Sequence, residues 1–455
     1  MPGAVVENGG PSLAAGWWRA RLEGIAIGVL LVLPALLAAR LVFRFGINVP
    51  VWDQWQFAAL LDSASVGTLR FPDLYAQSNE HRLLFPKLVM LGLAKLSSWD
   101  NRTEMWFGWT MLVATAATLL FEHLRRFGAT RRALWLFVPV AWLVFSLRQY
   151  ENLLWGFQLQ IFLAAACVVL ALTLLESDRG WALAGAIGAA VVSSYSFASG
   201  LAVWPAGFLL LLLAPALPHR GRLLLAWAAA GLIVLATYLN GYRTPSHHPS
   251  PALFLSHLAK STYFFLAMVG GALVPEDQPR LAALAGATLL LLLSVVIASA
   301  LRDGTRSADL SFGLALVFFA LCATALTTAG RVGFDEGMDG VGYALLSRYT
   351  TFTVLGVYGI YRCALSLQTS SLRSVAVGVL ALLMIAGSAS GLQAGERGGR
   401  GFRQHRRNLA ATLLRYRHLT DAEARGLFID VDLVRREAAF LDRSRLTLFR
   451  EQAAQ

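Results

Sequence analysis

The stretch GIAIGVLLVLPALLAARLVF, residues 24–43, settles the class of protein. As a helix it is long enough to cross the ~30 Å hydrocarbon core of a bilayer, which takes ~20 mostly apolar residues. The segment before it carries Arg19 and Arg21. That resembles the start of a signal peptide, but the apolar run is too long and no small-residue cleavage site follows. We read a signal anchor, with residues 1–23 as a cytoplasmic N-terminal segment. Working outward, a long polar stretch follows at 44–104, and then the apolar pattern returns. Spans are expected at 105–123, 132–147, 153–175, 181–195, 201–217, 223–239, 281–301, 310–328, 344–362 and 375–392.

The composition agrees. Of 455 residues 56% are hydrophobic and only 15% charged, with a mean hydropathy of +0.57. A soluble chain carries nearer ~25% charged residues, and one of this length could not hide so much apolar surface in a single core. An ordinary soluble enzyme, a disordered scaffold and a disulfide-rich module are excluded. The net charge of +12 would suggest nucleic acid in a soluble protein. Here Arg collects in short loops and in the last stretch of the chain, as the positive-inside rule and anionic lipid require, so we expect a lipid bilayer and no nucleic acid as partner. Cys167, Cys322 and Cys363 lie in apolar runs and form no CxxC pair, so neither a disulfide framework nor a zinc site is indicated.

Charge also orients the map. The basic loops 125–132 and 219–222 read as cytoplasmic,, which puts 44–104, 148–152, 197–200 and 241–250 outside. The segment 255–274 decides the second half. If it spans, the basic loop 302–306 lands outside, against the rule. If it is re-entrant or a surface-lying pair of short helices, that loop is cytoplasmic, and 331–343 and the C-terminal tail are outside. The interruptions at Lys260, Ser261 and Gly270-Gly271 favour the second map. The expected fold is therefore an all-α polytopic bundle of about eleven transmembrane helices over 24–394, with a helical first outer loop at 44–104. Beyond it, 395–455 reads as a small charged helical tail, with Leu409, Leu413 and Tyr416 at helical spacing,. In it Arg403, Arg406 and Arg407 are placed to lie on head groups.

Polar residues kept near a membrane against their cost mark function, and four clusters stand out on the outer side. The first is Trp52-Asp53-Gln54-Trp55. Asp53 reads either as a helix N-cap or as a surface carboxylate between two indoles able to stack on sugar faces. The second, Gln77-Ser78-Asn79-Glu80-His81-Arg82, puts amide, acid, imidazole and guanidinium before a helix. Arg82 suits bidentate phosphate binding, while Glu80 or His81 suits proton transfer. One His with one or two acids leaves a metal site short of ligands. The third runs from Arg148 through Glu151 and Asn152 to Trp155 and Gln158. On a continuous helix Glu151, Trp155 and Gln158 would share one face, as a cavity wall or as a helix–helix hydrogen-bond seam. The fourth joins Arg331, Asp335, Glu336 and Ser347-Arg348-Tyr349-Thr350. Its arginines either snorkel or pair on a lipid phosphate.

A polytopic chain with an acid in its first outer loop resembles the GT-C superfamily of membrane glycosyltransferases. The combination WDQW, NEHR with Pro86 soon after, YENLLWGFQ and SRY is similar to a bacterial GT-C-like subgroup, over about Asp53 to Tyr349. The resemblance implies an enzyme of a bacterial inner membrane with its site facing the periplasm. It implies a polyprenyl-phosphate sugar as donor and a lipid-linked or cell-envelope glycan as acceptor. Asp53 matches the first-loop acid that acts as general base. Relatives often pair adjacent acids, whereas here Gln54 follows Asp53 and the second acid is Glu80, so either carboxylate could take the proton and a divalent cation is left open. Arg82, Arg331 or Arg348 would bind the donor phosphate, and direct displacement would invert the anomeric centre. Trp52, Trp55, Asn79, His81, Glu151, Asn152, Trp155, Gln158 and Tyr349 are the substrate-binding candidates. No Walker loop and no dinucleotide fingerprint is present,. The rivals are a lipid or glycan translocase, an O-antigen polymerase- or ligase-like protein, and a sensor or scaffold. The first would place charge mid-membrane in two related halves. The second would carry a large outer loop in the second half.

Overall fold

The computed structural model describes residues 13–177, 179–214, 219–245, 250, 252–334 and 341–453. It is helical but for one hairpin. Helix α1 is Leu13–Phe45; the first loop then holds α2 Gln54–Ser65, α3 Phe71–Tyr75, strands β1 Gln77–Ser78 and β2 His81–Arg82, and α4 Leu84–Ser97. The bundle continues with α5 Asn101–Phe127, α6 Arg131–Val144, α7 Tyr150–Leu154, α8 Leu159–Leu175, α9 Ala182–Ser194, α10 Val203–Leu213 and α11 Arg220–Leu239. Then come α12 Ala252–Ser256, α13 Leu258–Gly270, α14 Pro279–Arg302, α15 Ser307–Arg331, α16 Thr350–Leu365 and α17 Ser370–Leu413. Helices α18 Asp421–Leu427, α19 Val431–Arg443 and α20 Leu448–Ala453 close the described chain. Among the described residues eight helices are long and apolar enough to cross a membrane. These are α1, α5, α6 with its continuation to Leu154, α8 with its first turn, α11, α14, α15 and α17. The count of about eleven included α9, α10 and α16, which are shorter. The expected residues Asp335 and Glu336 lie outside the described residues.

Ion pairs show which loops share an end of the bundle. At one end Arg125 pairs with Glu176, Arg126 with Asp309, and Arg362 with Glu122 at 3.0 Å. The Glu122–Arg362 pair is 1% and 2% exposed, and Arg362 also donates to the Asp309 carbonyl. Loops near 125 and 306 therefore meet, as the map with a cytoplasmic 302–306 requires. At the other end Arg331 pairs with Glu80 and Arg44 with Glu396. The segment 255–274 is two short helices, α12 and α13, and the chain leaves them at Val274 and Glu276, both bonded to Arg148. Helices α13 and α14 pack at glycines: a Cβ on Gly270 would run into the Ala282 carbonyl, and one on Gly286 into that of Leu266. Small residues at such crossings let backbones approach where no water is available to drive packing.

The tail is not an appendage. Helix α17 runs unbroken through residue 395, the expected boundary, and α19 lies on α2. Trp55, Phe57, Ala58 and Trp99 of the first loop share one buried cluster with Leu413, Leu427, Val434, Ala438 and Leu441. Arg406 does not reach head groups: it is buried and donates to the Leu154 carbonyl at the end of α7.

Candidate active site

The site begins with the hairpin. Ser78 faces His81, and the two-residue turn between them puts Asn79 at φ +49°, a left-handed position that Asn tolerates better than most residues,. The hairpin is sewn to the end of α11. The Tyr238 hydroxyl donates to the Glu80 carbonyl at 2.9 Å, and the Gln77 side chain both donates to and accepts from the Arg243 backbone. Arg82 is what fixes it. Its guanidinium donates to the carbonyls of Tyr238 (2.7 Å), Asn240 (2.5 Å) and Tyr75 (3.2 Å), with Tyr75's ring beneath it at 4.5 Å. A helix leaves its last carbonyls without intrahelical partners, and a cation there is doubly favoured. Arg82 is thus the C-terminal cap of α11, buried and lining neither of the two cavities described below, and the expected phosphate contact is corrected. Lys87 does the same for α3, donating to the carbonyls of Asp73, Leu74 and Ala76. Burial pushes its ammonium down to about 8.

Around the hairpin opens a cavity of about 780 Å³. Ten of the expected site residues line it: Trp52, Asp53, Asn79, Glu80, His81, Trp155, Gln158, Arg331, Arg348 and Tyr349. Asn79 Nδ2 donates to Asp53 Oδ2 at 3.3 Å, and Asp53 makes no N-cap bond, so the capping alternative is overturned. Glu80 holds Arg331, whose Nε donates to the Tyr349 hydroxyl at 3.2 Å. The Ala198 N–H donates to His81 Nδ1 at 3.2 Å, so His81 Nε2 carries the proton when the ring is neutral. That Nε2 lies 3.5 Å from Glu80, and the ring stacks on Phe197 at 4.1 Å. Trp52 meets Trp155 edge-on at 4.8 Å.

Behind this wall the third and fourth clusters lock together. Arg348 Nη1 donates to Glu151 Oε1 at 2.7 Å, Asn152 Nδ2 to the Arg348 carbonyl at 3.0 Å, and the Glu151 N–H to Ser347 Oγ at 3.0 Å. Glu151 and Asn152 are therefore the backing of Arg348 and not cavity wall. The expected common face of Glu151, Trp155 and Gln158 does not form. The helix stops at Leu154, Trp155 is extended, and a short 3₁₀ turn covers Gly156–Gln158. The break has a cause: Gly156 sits against α5, where a Cβ would come within 2.5 Å of Glu104 Oε2. Trp55 is the last correction. It is fully buried under the tail, so its ring has no open face to offer a sugar.

A second cavity of about 300 Å³ lies against the first. Asp53, Ser78, Leu83 and Phe157 line both; the smaller one adds the polar Gln56, Ser63, Asp73, Gln77 and Lys87 and the apolar Phe57, Ala59, Leu60 and Ala76. Asp53 thus stands in the partition between two cavities whose walls mix polar and apolar side chains. Two groups on the larger wall, the indole N–H of Trp155 and Oε1 of Gln160, are buried with no hydrogen-bond partner among the described residues. Leaving such a group unpaired costs ~1–3 kcal/mol. Among the described residues no three His, Cys, Asp or Glu side chains gather to hold a metal ion. Sequence reasoning missed Phe197, Tyr238, Tyr242, Tyr343, Gln160 and the tail residues 425–429, all lining the cavity. The run of polar and aromatic residues SSYSFAS at 193–199 is the one signal that could have found Phe197. No protein-family model and no curated protein matches this chain.

Proposed function

We propose that the protein is a membrane glycosyltransferase of GT-C type, moving a sugar from a polyprenyl-phosphate donor to a lipid-linked or envelope glycan. Counting α9, α10 and α16 as passes gives eleven crossings, with the cavity end facing the periplasm of a bacterial inner membrane. The observation that carries the reading is the position of Asp53, between a large cavity with Arg331 and Arg348 on its wall and a small one where Gln56, Ser63, Gln77 and Ser78 offer hydroxyls and amides beside apolar side chains. The larger space suits the donor. Leu239 of α11 and Leu326 of α15 both line it and are more than half exposed. On these two bilayer-spanning helices, such leucines mark a side opening through which an isoprenoid chain would lie in lipid. The arginines stabilise the leaving phosphate as charge develops on it. The smaller space suits the acceptor sugar, whose hydroxyl gives its proton to Asp53 and attacks the anomeric carbon opposite the phosphate, with inversion. The C–O bond to phosphate breaks, and the lipid phosphate leaves with the electron pair. Trp155 N–H and Gln160 Oε1 are then partners for sugar hydroxyls. Glu80, engaged with Arg331, positions that cation.

The test is transfer from a panel of synthetic polyprenyl-phosphate sugars by the purified protein in nanodiscs. Asp53→Asn should lower transfer by roughly 10²–10⁴-fold, the usual worth of general base catalysis, while donor binding persists. Wild-type protein that transfers no sugar of the panel, or an Asp53→Asn variant as active as wild type, would sink the proposal.

A further inference from the structure

The tail contributes a stretch to the cavity that nothing in the chemistry above uses. Arg425, Gly426, Leu427, Phe428 and Ile429 line the large cavity. The backbone there is held firmly. Thr420 and Glu423 form a capping box at the start of α18, Asp430 caps α19, and Ala424 and Leu427 are buried in the cluster shared with the first loop. The Arg425 side chain, in contrast, is exposed, and it makes no hydrogen bond or ion pair among the described residues. Its neighbours in the tail are engaged: Arg415 with Glu423, Arg417 with Asp442, Arg435 with Asp421. The other two cavity arginines are also countered, Arg331 by Glu80 and Arg348 by Glu151. Arg425 is therefore the cation whose charge this wall leaves uncompensated. Four residues on, Ile429 lines the same cavity and is 83% exposed.

We propose that Arg425 is a phosphate-binding residue of this cavity, recruiting the phosphate of an amphiphilic ligand, with Ile429 against the ligand's first apolar carbons. This rests on the transferase reading for the donor's lipid nature, but the phosphate chemistry stands on the geometry alone. A guanidinium offers a phosphate a planar fork of donors, and one with no acid partner gives up no existing bond to do so. The role first expected of Arg82 thus passes to a residue more than three hundred positions later in the chain.

The experiment measures binding to the full-length protein in nanodiscs by tryptophan fluorescence, since Trp52 and Trp155 line the cavity. The probes are farnesyl phosphate, farnesol and inorganic phosphate. Arg425→Gln should weaken farnesyl phosphate about tenfold, ~1.4 kcal/mol, and leave farnesol unchanged. Arg425→Lys should keep most of the affinity, a rescue that a merely structural role would not show. Because Arg425 is exposed, both variants should fold, checked by unchanged melting. Inorganic phosphate binding in an Arg425-dependent way, with farnesyl phosphate no better, would support the phosphate site and assign it to a soluble phosphate. Equal farnesyl phosphate affinity in wild type and Arg425→Gln overturns the proposal, as does wild type that binds neither phosphate. Arg425-dependent binding without any sugar transfer keeps the site and removes the transferase reading; transfer with Arg425-independent binding does the reverse.

Discussion

Replacing Arg82 by methionine separates a structural cation from a ligand-binding one. Three backbone carbonyls lose their donor. That of Tyr238 is in a buried bond, while those of Asn240 and Tyr75 are in half-buried ones. A buried carbonyl left unsatisfied costs ~1–3 kcal/mol, and a lost bond that water can replace ~0.5–1.5 kcal/mol. Summed, the variant should lose about 2–6 kcal/mol. In a chain of this size, with an unfolding entropy of ~2 cal/mol/K per residue, that corresponds to a fall in Tm of about 2–6 °C. The assay is thermal unfolding in detergent followed by size-exclusion chromatography, alongside farnesyl phosphate binding well below the variant's Tm. Melting should fall, and affinity should fall only as far as the hairpin carrying Glu80 and His81 loosens. An Arg82→Met variant that melts like wild type yet no longer binds phosphate would refute the capping role.

Other outcomes follow from the same geometry. Gly156→Ala forces a Cβ against Glu104 and Asn101, so overpacking should cost ~1–3 kcal/mol, and ligand affinity should drop because Trp155 and Gln158 move with it; a melting curve and fluorescence titration check both. Glu122→Gln leaves Arg362 buried without its counter-charge at the end of the bundle away from the cavity, and should cost ~3–5 kcal/mol with no change in ligand affinity among molecules that remain folded. Trp55→Phe should keep transfer activity, whereas Trp155→Phe, which removes the unpartnered indole N–H, should raise the sugar KM. Lys87 is held near 8 against an ordinary 10.5, so the unfolded chain binds more protons between those values, and stability should rise with pH across that window; Lys87→Met should flatten the rise in a pH series of melting curves.

The membrane segments were legible because bilayer thickness imposes a length on apolar runs that needs no partner to be read. That 255–274 breaks into two short helices was legible from its polar and glycine interruptions and from a misplaced basic loop. The motif residues were found as a group because polar side chains beside a membrane are conspicuous. What failed was the division of labour within the group. Whether an arginine caps a helix or faces a ligand depends on which carbonyls come alongside it. For Arg82 those belong to Tyr238, 156 positions away; for Arg406 they belong to Leu154, 252 positions away. Trp55 was misread for a related reason: what covers it is Leu413 to Leu441 of the tail. The unbroken helix expected through Trp155 failed because glycine's fit against Glu104 overrode the helical period. Local patterning identified candidates, and long-range contacts assigned their roles.

The shared cluster of the first loop and the tail also sets a timetable. The loop with Trp55, Phe57 and Trp99 emerges early, but the residues that cover it run from Leu409 to Phe449. At ~5–20 residues per second, the roughly 300 residues between them take about 15–60 s to synthesise. For that interval the loop holds an apolar face open on one side of the membrane while the bundle is threaded beside it. The large cavity lacks the wall from Arg425 to Ile429 until then. The cavity wall is therefore completed only once the tail has been made, and the uncovered indoles are where a membrane chaperone would have most to hold.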